Sequence, residues 1–145
     1  MNQTLTKFGY PSTLIAEYTH WVVLQRPKQV TVGSLILAAK ADCLSFSTLP
    51  SEAFREFGHT IRDIELSLRH IFAFDKINYL ALMMVDPNPH YHVLPRYSKP
   101  RELNGAQYAD TAWPGPPDLS RTLDLTASDD AALLSTLRQG WQRQG

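Results

Sequence analysis

His90 and His92 stand two positions apart in the stretch PNPHYHVLPRY (87–97), in a chain with five histidines. In an extended strand side chains alternate between faces, so both imidazoles point the same way. Asn88 and Leu94 share that face, and Tyr91 and Val93 take the other. Pro89 marks a strand start, a bulge or an edge, since proline cannot donate to a sheet ladder. Each imidazole has two polar nitrogens to satisfy, which makes a side-by-side pair costly as filler. The spacing therefore points to chemistry.

Four uses of the pair are open. The first is structural, with the rings hydrogen-bonded inside the fold. The second is a metal site, because H-x-H on a strand can supply two ligands to zinc. A third ligand would come from Asp86, His20, His59 or His70. His59 and His70 lie eleven residues apart on a helical stretch, about 16 Å of rise, so they cannot both join one site. The third use is nucleophilic catalysis. A neutral imidazole whose one nitrogen donates to a backbone carbonyl has the other fixed as the attacking atom. A second imidazole on the same face can then contact a phosphate or assist a leaving group. The fourth keeps the pocket without the chemistry, as a nucleotide-binding module.

The chain around the pair is that of an ordinary globular protein. Its 145 residues are 43% hydrophobic and 19% charged, and 14 basic residues balance 14 acidic ones. Zero net charge gives no broad electrostatic grip on nucleic acid, but it leaves room for a small anion held locally. One cysteine, Cys43, rules out a disulfide framework and a thiolate zinc cluster; it reads as a small packing residue. No apolar run approaches the roughly 20 residues of a membrane span, and the N-terminus lacks a signal-peptide pattern, so a cytoplasmic protein is expected.

The positioning elements follow from periodicity. TLIAEYTHWVVLQ (13–25) reads as one or two strands, PKQ as punctuation, and TVGSLILAAK (31–40) as a buried strand after a glycine. From Pro50 to about Phe74 the period changes. Phe54, Phe57, Ile61, Ile64, Leu68 and Ile71 step by three and four, with Arg55, Glu56, Arg62, Asp63, Glu65 and Arg69 outward: a long amphipathic helix. KINYLALMM (76–84) returns to strand chemistry, and DPNP turns it into HYHVLPR as an antiparallel hairpin. Residues 97–125 are rich in turn formers around Trp113. SDDAALLSTLRQGWQ closes the chain as a helix capped by Ser128, with Leu133, Leu134 and Leu137 as its packing stripe. Strands around one dominant helix predict an α+β fold with an antiparallel sheet.

HYHVLPRY resembles the end of the histidine triad signature, in which three histidines alternate with apolar residues before a Pro-Arg pair. His92 matches the third histidine and His90 the middle one; Asn88 falls where the first would be. KINYLALMMVDP is similar to the strand and turn before the triad in diadenosine-polyphosphate-hydrolase-like members, and GSLILAAK to the family's glycine-led strand. The likeness covers about residues 13–97. It implies a sheet-plus-helices domain over residues 1–100, commonly dimerised into a larger continuous sheet, with residues 101–145 an extension packed on it. It also implies a nucleotide substrate and nucleotidyl transfer or hydrolysis through a nucleotidyl-histidine intermediate, with no metal or cofactor required. Carried over, His90 is the nucleophile and His92 its phosphate-contacting partner. Asn78 matches a substrate-binding asparagine of the preceding strand, and Arg96 the family arginine, either structural or phosphate-binding. Asn88 cannot serve as an imidazole acid or base, though its amide could donate to a phosphate. Val85 replaces a usual polar residue, and Met83 and Met84 a glycine-rich approach. The leading expectation is a hydrolase acting on a dinucleoside polyphosphate or nucleoside phosphoramidate. The alternatives are a weakly catalytic nucleotide-binding module and, third, a metal-dependent hydrolase.

Overall fold

Five strands, each pairing antiparallel with its neighbour, form the sheet that carries the histidines. The structure, a computed structural model, describes residues 2–144. A short helix α1 (Gln3–Lys7) leads into β1 (Leu14–Glu17), β2 (Trp21–Gln25) and β3 (Leu35–Ala39). A 3₁₀ turn at Phe46–Thr48 precedes the long helix α2 (Ser51–Phe72), after which come β4 (Lys76–Leu80) and β5 (His90–Arg96). A small hairpin, β6 (Arg101–Leu103) and β7 (Ala106–Tyr108), and the helix α3 (Ala127–Gly140) complete the chain. The strand order is β1-β2-β3-β5-β4, so the strand carrying both histidines lies inside the sheet and β4 forms one border.

Alternation divides the sheet into two faces. On one, Trp21, Val23, Leu35, Leu37, Val93 and Tyr97 pack against Ile64, Leu68 and Phe72 of α2 and Leu133 and Leu137 of α3 in a single apolar core. On the other, Val22, Leu24, Ile36 and Ala38 lie under Phe8, which follows α1. His90 pairs with Ala38 and His92 with Ile36, so both imidazoles extend this second face across β5. Gly33 (φ 90°) makes the turn into β3. A Cβ there would come within 3.1 Å of the Phe72 ring, so the close approach of turn and helix needs glycine.

The long helix begins one residue after its cap, Pro50, and ends at Ala73 in a left-handed conformation. Two of its residues depart from the amphipathic expectation. Phe54 is exposed, whereas Asp63 is buried and accepts hydrogen bonds from the Tyr18 hydroxyl and the Gln144 backbone amide. The strand expected over 76–84 stops at Leu80, leaving 81–89 as a loop rather than a tight turn. Ser128 is not the cap of the last helix: Thr126 is, its hydroxyl accepting from the Asp129 amide. Helix α1 and the β6–β7 hairpin carry no clear sequence period and were not foreseen.

Residues beyond 101 join the same core through Leu103, Leu133 and Leu137. They are also pinned by polar contacts, among them a buried Arg96–Asp110 ion pair at 2.7 Å and bonds from Arg138 to the Leu14 and Ser12 carbonyls. Among the described residues no helix is long and apolar enough to cross a membrane.

Candidate active site

The two imidazoles are held in opposite protonation patterns. His90 is fully buried, and its Nδ1 lies 2.7 Å from the backbone oxygen of Asn88. A carbonyl can only accept, so Nδ1 carries the proton and Nε2 of the neutral ring carries a lone pair. That Nε2 is buried and has no hydrogen-bond partner among the described residues. His92 is the reverse. Its Nδ1 accepts from Nε of Arg26 at 3.2 Å, and a guanidinium can only donate, so the neutral ring carries its proton on Nε2. The ring centroids are 5.2 Å apart in a T-shaped arrangement. One imidazole thus offers a lone pair and the other an N–H.

Electrostatics keep His92 neutral. Burial, the Arg26 cation and the neighbouring His90 push its pKa down to about 4, with Asp86 acting weakly the other way. Protonating Nδ1 would set an N–H against the Arg26 N–H.

Asn88 does not face open space. Its Oδ1 accepts from the backbone amide and the hydroxyl of Thr4, and its Nδ2 donates to the Asp42 carboxylate and the Cys43 carbonyl. Its backbone amide donates to the Thr4 hydroxyl as well. Asn88 therefore ties α1 to the start of β5. Asn2 strengthens that tie, capping α1 through the Leu5 amide while donating to the Ala39 and Ala41 carbonyls. The result is to seat Phe8 over the histidines, 5.7 Å from the His90 ring and 5.9 Å from the His92 ring.

Asn78 and Arg96 lie on the histidine face but engage each other. Arg96 Nη1 donates to Asn78 Oδ1, and its Nε and Nη2 grip both oxygens of Asp110. This buried cluster clamps the segment that carries Asp110 onto β5, a structural duty for Arg96.

A cavity of about 530 Å³ opens beside His92. Leu82, Met84 and Val85 from the β4–β5 loop, Phe8, Pro27 and Leu119 supply apolar walls, while Lys7, Arg26 and Lys28 bring positive charge against one carboxylate, Asp86. An apolar slot with clustered cations suits a flat, apolar group attached to an anion. The sequence reading brought together His90 and His92 but missed Arg26, Lys28, Phe8 and Leu119. The signal for the first two was present: RPK sets two cations around a proline at the end of a buried strand. Among the described residues no group of three or more His, Cys, Asp or Glu side chains is placed to hold a metal ion.

Sequence comparison finds no matching family profile and no matching curated protein. Solved structures do match. A histidine triad protein from Marinobacter aquaeolei VT8 superposes with a TM-score of 0.72 at 20% identity, covering 97% of this chain and 94% of its own. One from Sinorhizobium meliloti 1021 gives 0.72 at 17% identity, over 97% and 95%. One from Bradyrhizobium japonicum gives 0.69 at 22% identity, over 89% and 90%. The chain has the fold of these histidine triad proteins.

Proposed function

We propose that this protein is a nucleotide hydrolase or nucleotidyl transferase of the histidine triad type, close to the diadenosine-polyphosphate-hydrolase-like branch. His90 Nε2 attacks the α-phosphorus of a dinucleoside polyphosphate or nucleoside phosphoramidate. The bond from phosphorus to the leaving group breaks, and that group departs with the electron pair. His92 Nε2–H donates to a phosphate oxygen and stabilises the charge that builds there. Water then attacks the same phosphorus, the P–N bond to His90 breaks, and a nucleoside monophosphate leaves. No metal or cofactor takes part in this scheme.

The observation that carries it is the His90 ring itself. A buried imidazole with Nδ1–H anchored on a carbonyl and an Nε2 lone pair left without a partner costs stability, and a nucleophile is what that arrangement is suited to be. The test is intact-mass measurement after rapid mixing with adenylated and guanylated compounds. A nucleotidyl adduct mapped to His90 supports the scheme; steady hydrolysis that persists in His90→Ala removes it.

One feature favours a second reading. His90 has no solvent exposure and sits under Phe8, so substrate must displace Phe8 before attack. If it does not, the protein is a nucleotide-binding module of the same fold, and titration will show nucleotide binding with no turnover.

In this proposal the protein is a cytoplasmic homodimer. Strand β4 borders the sheet, and its residues from Ile77 to Leu80 are only half-buried, which leaves an edge on which the same strand of a second copy can pair. Sedimentation equilibrium at micromolar concentration should report a dimer; a monomer would remove that part of the reading.

A further inference from the structure

Asn88 spends its side-chain amide inside the fold, on Thr4, Asp42 and Cys43. A phosphate beside His92 must therefore find its other polar contacts elsewhere on the cavity wall. Arg26 is placed to supply them. It follows β2 directly, on the histidine face, and reaches His92 across 66 positions of sequence. Its Nε donates to His92 Nδ1 and its Nη1 to the Lys28 carbonyl, so two bonds fix the plane of the guanidinium. Its Nη2 makes no hydrogen bond among the described residues, and the side chain lines the same cavity as His92.

We propose that Arg26 has two linked duties: it positions His92 as an Nε2–H donor, and it binds the substrate phosphate with its remaining guanidinium nitrogen. This rests on the nucleotide reading of the cavity. The chemistry of the fork supports it, since a planar guanidinium can hold one partner with Nε and another with Nη, which an ammonium cannot do. Charge balance supports it too. Lys7 forms an ion pair with Asp86 at 2.8 Å, which leaves Arg26 and Lys28 as the cations of the lining without an ion pair among the described residues. The groups facing His92 are then Arg26 and Lys28 after β2, His90 on β5, Asp86 on the β4–β5 loop and Lys7 on α1. Among the described residues only Arg26 touches Nδ1, so its removal frees the tautomer.

The experiment uses adenosine monophosphate and adenosine as probes, with Arg26→Gln and Arg26→Lys as variants. Nitrogen-15 NMR of the histidine rings reads the tautomer, and calorimetry reads the two affinities. In wild type, His92 should hold its proton on Nε2 from pH 6 to 8. In Arg26→Gln a fraction of Nδ1–H should appear, and affinity for the monophosphate should fall roughly 10- to 100-fold while adenosine binding is unchanged. Arg26→Lys should recover part of the monophosphate affinity. Equal losses for both probes in either variant would mark a merely structural arginine and overturn the proposal, and so would an unchanged tautomer and unchanged affinities in Arg26→Gln. Should Arg26→Gln fail to fold, Arg26→Lys decides alone by whether its loss is confined to the monophosphate. A wild type that binds neither probe sinks the nucleotide reading itself. A wild type that binds the monophosphate, with Arg26→Gln binding it equally well, leaves that reading standing and removes Arg26 from it.

Discussion

The two faces of the sheet are built from the same strands and obey different rules. Toward α2, β5 and the residue that follows it send Tyr91, Val93 and Tyr97 into an apolar core in which Val93 and Tyr97 are almost wholly buried. Toward α1, the same strand sends His90, His92 and Arg96, also buried, into contacts with carbonyls, a guanidinium and a carboxylate. The first face gains stability from every residue through area removed from water. The second buries polar groups that gain little in net terms when paired, and it leaves one nitrogen unpaired. Labour is divided along one strand. Alternation lets adjacent residues serve opposite ends, and the register that β3 and β4 impose on either side of β5 keeps them from being exchanged.

Removing one residue from each face should separate the two roles. His90→Ala should lower turnover on the order of a thousandfold or more while the protein still melts cooperatively, because the loss is of a nucleophile. Steady-state rates and a thermal melt on the same sample check it. Leu68→Ala should do the opposite. It opens a cavity where α2 meets the sheet and should cost about 2–5 kcal/mol of unfolding free energy, with kcat per folded molecule unchanged. A denaturant titration reads the first quantity and an active-site titration the second. If both variants lose activity and stability in the same proportion, the faces are not separable.

Acid sharpens the contrast, because His92, whose ring is held neutral, lies on the histidine face. Above pH 6.5, the ordinary histidine value, His92 is neutral whether the chain is folded or not, and it adds no pH dependence. Between 6.5 and about 4 the unfolded chain takes up a proton that folded His92 refuses, so the unfolded state binds more protons and stability falls as pH falls. The loss should be on the order of 2–3 kcal/mol by the bottom of that window. His92→Gln keeps an acceptor for Arg26 and has no proton to take up, so this part of the slope should vanish from it. Parallel stability–pH curves for the two proteins across the window would show that His92 is not held neutral.

The face under α2 was legible in the sequence because its information is local. Ile64 and Leu68 repeat at the helical period and β3 is a continuous apolar run, and burial follows from both. The histidine face was half legible. H-x-H with VLPR behind it marks the pair and its common side, as strand geometry requires. Its partners were hidden because nothing periodic connects Thr4 to Asn88, Phe8 to His90 or Arg26 to His92. Those contacts arise only when the sheet order places β3 beside β5 and brings the chain before β1 back across it. The same limit explains the misplaced cap at Ser128, where Thr126 and Ser128 are equally good caps by type and only geometry chooses. It also explains Asn88, which the motif suggests should face a phosphate and the fold turns toward Thr4.

Asn88 gives the finest test, because it sits where the two rules meet: a polar residue of the histidine face doing the structural work of the other. Its amide makes two acceptor and two donor contacts, tying α1, the segment after β3 and the start of β5 together. Alanine removes all four and strands Thr4, so Asn88→Ala should cost about 1–3 kcal/mol and raise hydrogen exchange in α1 before any other element. Asn88→His restores the third imidazole of the triad pattern, yet a neutral imidazole has one donor and one acceptor and cannot replace four contacts. It should therefore lose stability by a similar amount and gain little turnover, since the position faces Thr4, Asp42 and Cys43 rather than the cavity beside His92. Rates for wild type, Asn88→Ala and Asn88→His, measured beside their exchange maps, decide the matter. A large gain in turnover for Asn88→His over an inert wild type would mean that the missing imidazole was the whole deficit. The protein would then be a binding module whose structural asparagine had displaced its chemistry.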